Sequence, residues 1–126
     1  MKSSKILIVE DEEDLNDAYK ILLISAGYDV TTAMNGEEAL EHIKKHGDPD
    51  LILLDLRMPV VDGIGFLEKY KSPIHSKASI ILFTNYEVQA QVDKAFKLGV
   101  DRYILKSRAS PSELLRIVES TLADKN

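Results

Sequence analysis

Cysteine is missing altogether from this sequence of 126 residues. Without a thiol there is no disulfide, no thiolate nucleophile and no zinc ribbon, an absence that fits a reducing cytosol. Long apolar runs are missing as well. The run at residues 6–9 is stopped by Glu10 and Asp11, too short for a signal peptide, and nothing approaches the ~20 apolar residues that span a bilayer. Positive charge is in the minority: 16 Lys and Arg stand against 21 Asp and Glu, a formal net charge of -5. The basic residues are scattered, which argues against nucleic acid as a direct partner. No linker, low-complexity segment or repeat interrupts the chain. What remains, 44% hydrophobic and 29% charged residues, is ordinary for one cytoplasmic domain. A domain of this length buries roughly two-thirds of its unfolded surface.

The apolar pattern predicts a regular alternation of elements. Strands are expected at Lys5–Val9, Asp29–Ala33, Leu51–Leu54, Ser79–Thr84 and Arg102–Leu105. Between them the spacing turns helical. Leu15, Ala18, Tyr19, Leu22, Leu23 and Ala26 mark one helix, ended by Gly27; Ala39, Leu40 and Ile43 mark a second, after the Asn35-Gly36 break. A third helix covers about 64–70. A fourth carries Val88, Val92, Ala95 and Phe96 on one face and ends near Gly99. The last runs over 111–123, with Pro111 in its first turn and Ser110 placed to cap it. Five strands alternating with five helices imply an α/β fold, a doubly wound parallel sheet covered on both faces.

The stretch LILLDLRMP, residues 51–59, raises the functional question. A strand buried on both faces runs straight into Asp55, where an ionised carboxylate is expensive unless it is paired or bound to a cation. In doubly wound sheets the working site lies outside the carboxyl ends of the strands, where strand order reverses. Asp55 ends the third strand, Glu10 and Asp11 the first, Thr84 the fourth and Lys106 the fifth. Four strands thus deliver polar groups to one edge. Carboxylates about 4 Å apart repel by roughly 4 kcal/mol per pair at an effective dielectric of about 20. A divalent cation reverses that sign, and Mg²⁺ suits carboxylates, waters and a phosphate oxygen. With the Thr84 hydroxyl and the Lys106 ammonium, the edge can receive a phosphoryl group. No base stands beside a Ser or Cys, so the nucleophile is a carboxylate, best Asp55, giving an acyl phosphate.

Four motifs, ILIVEDEEDL, LILLDLRMPVVDG, ILFTNYE and YILKS, together resemble the receiver domain of two-component response regulators. The resemblance runs in order from about Ser4 to Ala123. It implies a stand-alone, chemotaxis-regulator-like receiver over 1–126, without an output domain, and a flavodoxin-like sheet of order 2-1-3-4-5. Asp55 is then the phosphoacceptor. Asp11, Asp55 and the backbone carbonyl of Arg57 hold Mg²⁺, with Glu10 in the outer shell. Thr84 and Lys106 contact the phosphoryl oxygens, and Tyr103 is an aromatic switch that turns inward as Thr84 moves to the phosphoryl group. Met58-Pro59 and Gly63 shape the loop after Asp55. The implied donor is a sensor histidine kinase or a phosphotransfer protein, and the output is a changed protein-binding face. The chain is expected to be a monomer or a weak, phosphorylation-dependent dimer.

Two departures from the family pattern stand out. The acidic pair is Glu-Asp where Asp-Asp is commonest. Ser107 replaces a proline whose cis linkage usually orients the lysine. A cis bond before a non-proline residue costs about 2.5–4 kcal/mol, so the Lys106–Ser107 peptide is expected to be trans, with the loop rearranged. Arg57, Asn85 and Tyr86 should flank the path of the hydrolytic water and, offering no general base, give a lasting acyl phosphate. An alternative is a receiver-fold interaction module that works without phosphorylation, or a receiver cut from a longer regulator. His42 and His46 have the spacing of a metal pair but no evident third ligand, so they read as a solvated helix face. His75 carries no signal.

Overall fold

Alternation within the strands decides which helix covers which face of the sheet. The structure, a computed structural model, describes residues 3–70, 78–85 and 88–124. His75 and Tyr86 lie outside them. The strands are β1 (Lys5–Val9), β2 (Asp29–Ala33), β3 (Leu51–Leu54), β4 (Ser79–Thr84) and β5 (Arg102–Leu105). The helices are α1 (Glu13–Ser25), α2 (Gly36–His46), α3 (Gly63–Tyr70), α4 (Gln89–Lys97) and α5 (Pro111–Asp124). The five strands form one parallel sheet of order β2-β1-β3-β4-β5, the order the receiver resemblance implies.

Leu7, Val9, Ile52, Leu54, Ile80 and Leu82 point to one face, where α2, α3 and α4 bury Ile43, Phe66, Leu67, Tyr70, Val92 and Ala95 on them. Ile6, Ile8, Leu51, Leu53, Ile81 and Phe83 point to the other, where α1 and α5 bury Leu23, Leu114 and Val118. Because both faces are covered, the central strands β3 and β4 are buried at every position. The edge strand β5 is only half-buried throughout.

The helix ends follow the local sequence. Ser110 Oγ accepts from the Glu113 N–H at 3.2 Å and Glu113 Oε1 accepts from the Ser110 N–H at 3.4 Å, a reciprocal cap with Pro111 in the first turn. Asn35 caps α2 through the Glu38 N–H at 2.9 Å.

Two helix faces differ from the apolar spacing. On α1, Ala18 and Ala26 are exposed and Asn16 is buried, while Ile21 and Ile24 face outward. On α4 only Val92 and Ala95 are buried: Val88 precedes the first turn and escapes the helical period, and Phe96 sits at the stripe's margin in the last turn. Among the described residues no helix is long and apolar enough to cross a membrane.

Candidate functional site

The sheet ties down both acidic corners of the site through backbone hydrogen bonds. The Glu10 N–H donates to the Ala33 carbonyl at 3.0 Å and the Asp55 N–H to the Val9 carbonyl at 3.1 Å. Each residue is therefore the first beyond its strand yet still tied to the neighbouring one. Glu10 and Asp55 are buried and Asp11 is half-buried, with one carboxylate oxygen from each lying within 4.8 Å of the others. Among the described residues no other group of three metal-donor side chains comes this close. His42 and His46, rings 4.7 Å apart, remain a pair, with His42 Nε2 3.3 Å from Thr31 Oγ1.

Asp55 is fixed through both oxygens. Oδ1 accepts from the Leu56 N–H at 2.7 Å and from the Thr84 hydroxyl at 2.5 Å, and Oδ2 accepts from Lys106 Nζ at 2.8 Å. The same ammonium pairs with Glu10 Oε1, while Glu10 Oε2 accepts from the Glu12 N–H at 3.0 Å. Lys106 also lies 5.9 Å above the ring of Phe83, which Tyr19 meets edge-on at 4.9 Å. Burial pushes the Glu10 carboxyl up, against the opposing pull of Lys106. Burial alone would lower the Lys106 ammonium, but its hydrogen bonds to Asp55 and Glu10 prevail and hold it above the ordinary lysine value. Strands β1, β3, β4 and β5 therefore meet in one polar constellation at the edge that the sequence pattern indicates.

The profile of the response regulator receiver domain family matches residues 6–119. The chain belongs to this family. It is 34% identical over 110 residues to the chemotaxis protein CheY of Halobacterium salinarum, a match covering 87% of this chain and 90% of that one. It is also 36% identical over 122 residues to the probable transcriptional regulator ycf27 of Porphyridium aerugineum, covering 97% of this chain but 49% of that protein. The chain thus spans about half the length of that relative. Among solved structures, the CheY-like receiver domain protein of Methanospirillum hungatei JF-1 superposes with a TM-score of 0.90 at 29% identity, covering 98% of this chain and 97% of that one. Receiver domains are signalling phosphoacceptors of two-component systems and generally use Mg²⁺.

The rest of the receiver's edge is shaped by the loop after Asp55. Arg57 lines a cleft of about 470 Å³ with Asp11, Leu56, Met58, Asp62 and Gln91. Gly63 closes the loop by donating its N–H to the Leu56 carbonyl at 2.9 Å. A Cβ there would stand 2.4 Å from the Asp55 carbonyl oxygen and 2.8 Å from Leu56 Cα, so only glycine fits. Tyr103, in register with Leu82 of β4, is half-buried and packs against the core on the face that α2, α3 and α4 cover. There is no cis peptide among the described residues, and the Lys106–Ser107 bond is trans, as the missing proline leads one to expect. Lys106 begins a short 3₁₀ turn, Lys106–Arg108.

Sequence reasoning passed over Asn16. Its Nδ2 donates to the Glu10 carbonyl at 2.9 Å and the Ala33 carbonyl at 3.3 Å, holding the acidic turn down on β2. The signal was available: Asn16 sits three residues before Tyr19 and seven before Leu23, on the helix's inward face, where a polar side chain needs buried partners.

Proposed function

We propose that this receiver accepts a phosphoryl group on Asp55 from a phosphohistidine of a sensor histidine kinase or phosphotransfer protein, and signals through a changed protein-binding face. The observation that carries the reading is the pairing of Asp55 with Thr84 and Lys106 inside a group of three carboxylates. In the transfer an Asp55 oxygen forms the new bond to phosphorus as the donor's N–P bond breaks, and the imidazole leaves with the electron pair. Lys106 and Thr84, both now donating to Asp55, are placed to follow the charge onto the phosphoryl oxygens. Glu10 keeps a second contact on Lys106 and so restrains the ammonium during that exchange.

The cluster also fits Mg²⁺. Three carboxylates against one ammonium leave a net double negative charge within a few ångströms, which a divalent cation with oxygen ligands balances. Asp11, Asp55 and the Arg57 carbonyl would hold it, with Glu10 in the outer shell; when bound, it supplies positive charge against which donor and acceptor anions can approach.

Once Asp55 is phosphorylated, Thr84 would leave it for a phosphoryl oxygen, and the space Thr84 vacates beside β5 would let Tyr103 turn inward. Cytoplasmic location and a protein target follow from this reading. Incubation with phosphoramidate, with and without Mg²⁺, and intact-mass measurement test it. One added phosphoryl group is expected, only with Mg²⁺, and none on Asp55→Asn; equal labelling of that variant defeats the assignment.

A further inference from the structure

Thr84 and Leu105 form the last rung between β4 and β5, and Lys106 lies one residue beyond it. Its ammonium stands at the end of a flexible four-carbon stem and is nevertheless almost wholly buried between Asp55 and Glu10. Its aim therefore depends on where the backbone leaves the strand. Past the ladder, that backbone is held by a side chain. The Ser107 N–H donates to Asn85 Oδ1 at 2.9 Å, and Asn85 directly follows Thr84. The amide adds one more rung to the β4–β5 pair at the point where the backbone ladder stops. A proline at 107 would have no N–H to give, so this bond is open to the chain only because a residue other than proline stands there.

We propose that Asn85 is a positioning residue for Lys106: it ties the Lys106–Ser107 peptide to the end of β4 and does, with a trans bond, the orienting task of the missing proline. The proposal rests on the phosphoacceptor reading for its consequence, but not for its geometry. Both partners of the bond are exposed, so removing the amide buries no unsatisfied group and the fold tolerates the change. It also opposes the simpler view of Asn85 as a shield over the site. A shield, when cut back, admits the phosphodonor faster; a positioning residue, when cut back, slows transfer.

Asn85→Ala and Asn85→Asp, the latter keeping the acceptor, are compared with the parent. The first readout needs no phosphorylation: acylation of Lys106 by an N-hydroxysuccinimide ester, followed by peptide mass, together with amide exchange at Ser107. Asn85→Ala should raise both about three- to tenfold, the weight of one exposed hydrogen bond, and Asn85→Asp should restore them. The second readout is the maximal rate of labelling by phosphoramidate with Mg²⁺, which should fall by a similar factor in Asn85→Ala. Unchanged acylation of Lys106, or labelling as fast as the parent's or faster, would overturn the proposal. A parent that takes no phosphoryl group would defeat the phosphoacceptor reading instead, and the acylation readout would still decide the role of Asn85.

Discussion

Gly63 and Gly65 stand two residues apart in α3, and the structure predicts opposite outcomes when each becomes alanine. At Gly65 a new Cβ meets only side-chain atoms, Val61 Cγ1 at 3.1 Å and Asp62 Oδ1 at 3.3 Å, the latter already accepting from the Gly65 N–H at 2.8 Å, and a shift of a few tenths of an ångström relieves both contacts. Alanine there gains about 0.5–1 kcal/mol of helix propensity, less the small cost of that adjustment, so Gly65→Ala should be neutral or stabilising. At Gly63 the neighbours are backbone: the Asp55 carbonyl oxygen at 2.4 Å and Leu56 Cα at 2.8 Å. Restoring ordinary contact requires the α3 start and the Asp55–Leu56 peptide to part by roughly an ångström, and overpacking of this kind costs about 1–3 kcal/mol. The displaced peptide carries Asp55 itself, whose two oxygens are held by Leu56, Thr84 and Lys106. If Asp55 accepts the phosphoryl group as proposed, a misplacement of that size should slow transfer by up to about a hundredfold. Urea unfolding gives the first quantity, and the initial rate of labelling by phosphoramidate the second. Equal stability of the two variants, or parental labelling by Gly63→Ala, would refute the reasoning, since the close approach would then have neither energetic nor functional weight.

Val60, a β-branched residue 74% exposed at φ 68°, occupies the left-handed region. Val60→Asn should stabilise the fold by about 0.5–1 kcal/mol in urea unfolding, part of the cost of that conformation for a branched side chain. If the acidic pair divides its labour as proposed, Asp11→Asn should weaken Mg²⁺ binding, followed by amide chemical shifts, more than Glu10→Gln. Burial and the neighbouring His46 both lower His42 below the ordinary imidazole value, so the unfolded chain takes up its proton first. His42 therefore contributes stability that is present above about pH 6.5 and is lost as pH falls through its native midpoint. An NMR titration should place that midpoint below an unperturbed histidine's and raise it in His46→Gln. Arg57 lines the cleft beside Asp11 and offers no general base, so Arg57→Ala should shorten the life of the acyl phosphate, timed by phosphoryl loss; a longer life would mean that Arg57 assists the water.

The inner strands β1, β3 and β4 and the edge they share were legible because strands covered on both faces write themselves as largely aliphatic runs, and each of these runs ends in or at a polar residue. Leu51–Leu54 followed by Asp55, and Ser79–Thr84 with its terminal hydroxyl, needed no structure to be placed. Helix faces were less legible because their burial depends on what lies opposite. Phe96 has the right period for the core, yet α4 buries only Val92 and Ala95 beneath it. Asn16 has the wrong polarity for the core, yet the Glu10 carbonyl and the Ala33 carbonyl both accept from its Nδ2. Composition sees the residue and cannot see the acceptors the fold sets against it.

The site shows the same division. That Lys106 reaches the edge follows from its place after β5; how it is aimed does not, because the partner of Ser107 lies 22 residues away on another strand. The departure at Ser107 was visible in the sequence as a loss, a proline gone and with it a cis bond. The structure turns the same substitution into a gain of one donor, and that donor finds Asn85. A residue that breaks a family pattern can bring a hydrogen-bonding group the pattern lacks. Whether it does is decided by what the chain presents across the strand, so Ser107 and Asn85 have to be read together. An exchange of Asn85 alone should cost this receiver more than the same change in one whose lysine is followed by proline, since only here does the amide have an N–H to accept. Matched Ala substitutions in this chain and in such a receiver, compared by labelling rate, put that to the test. An equal loss in both would show that the amide acts on something other than the turn after β5.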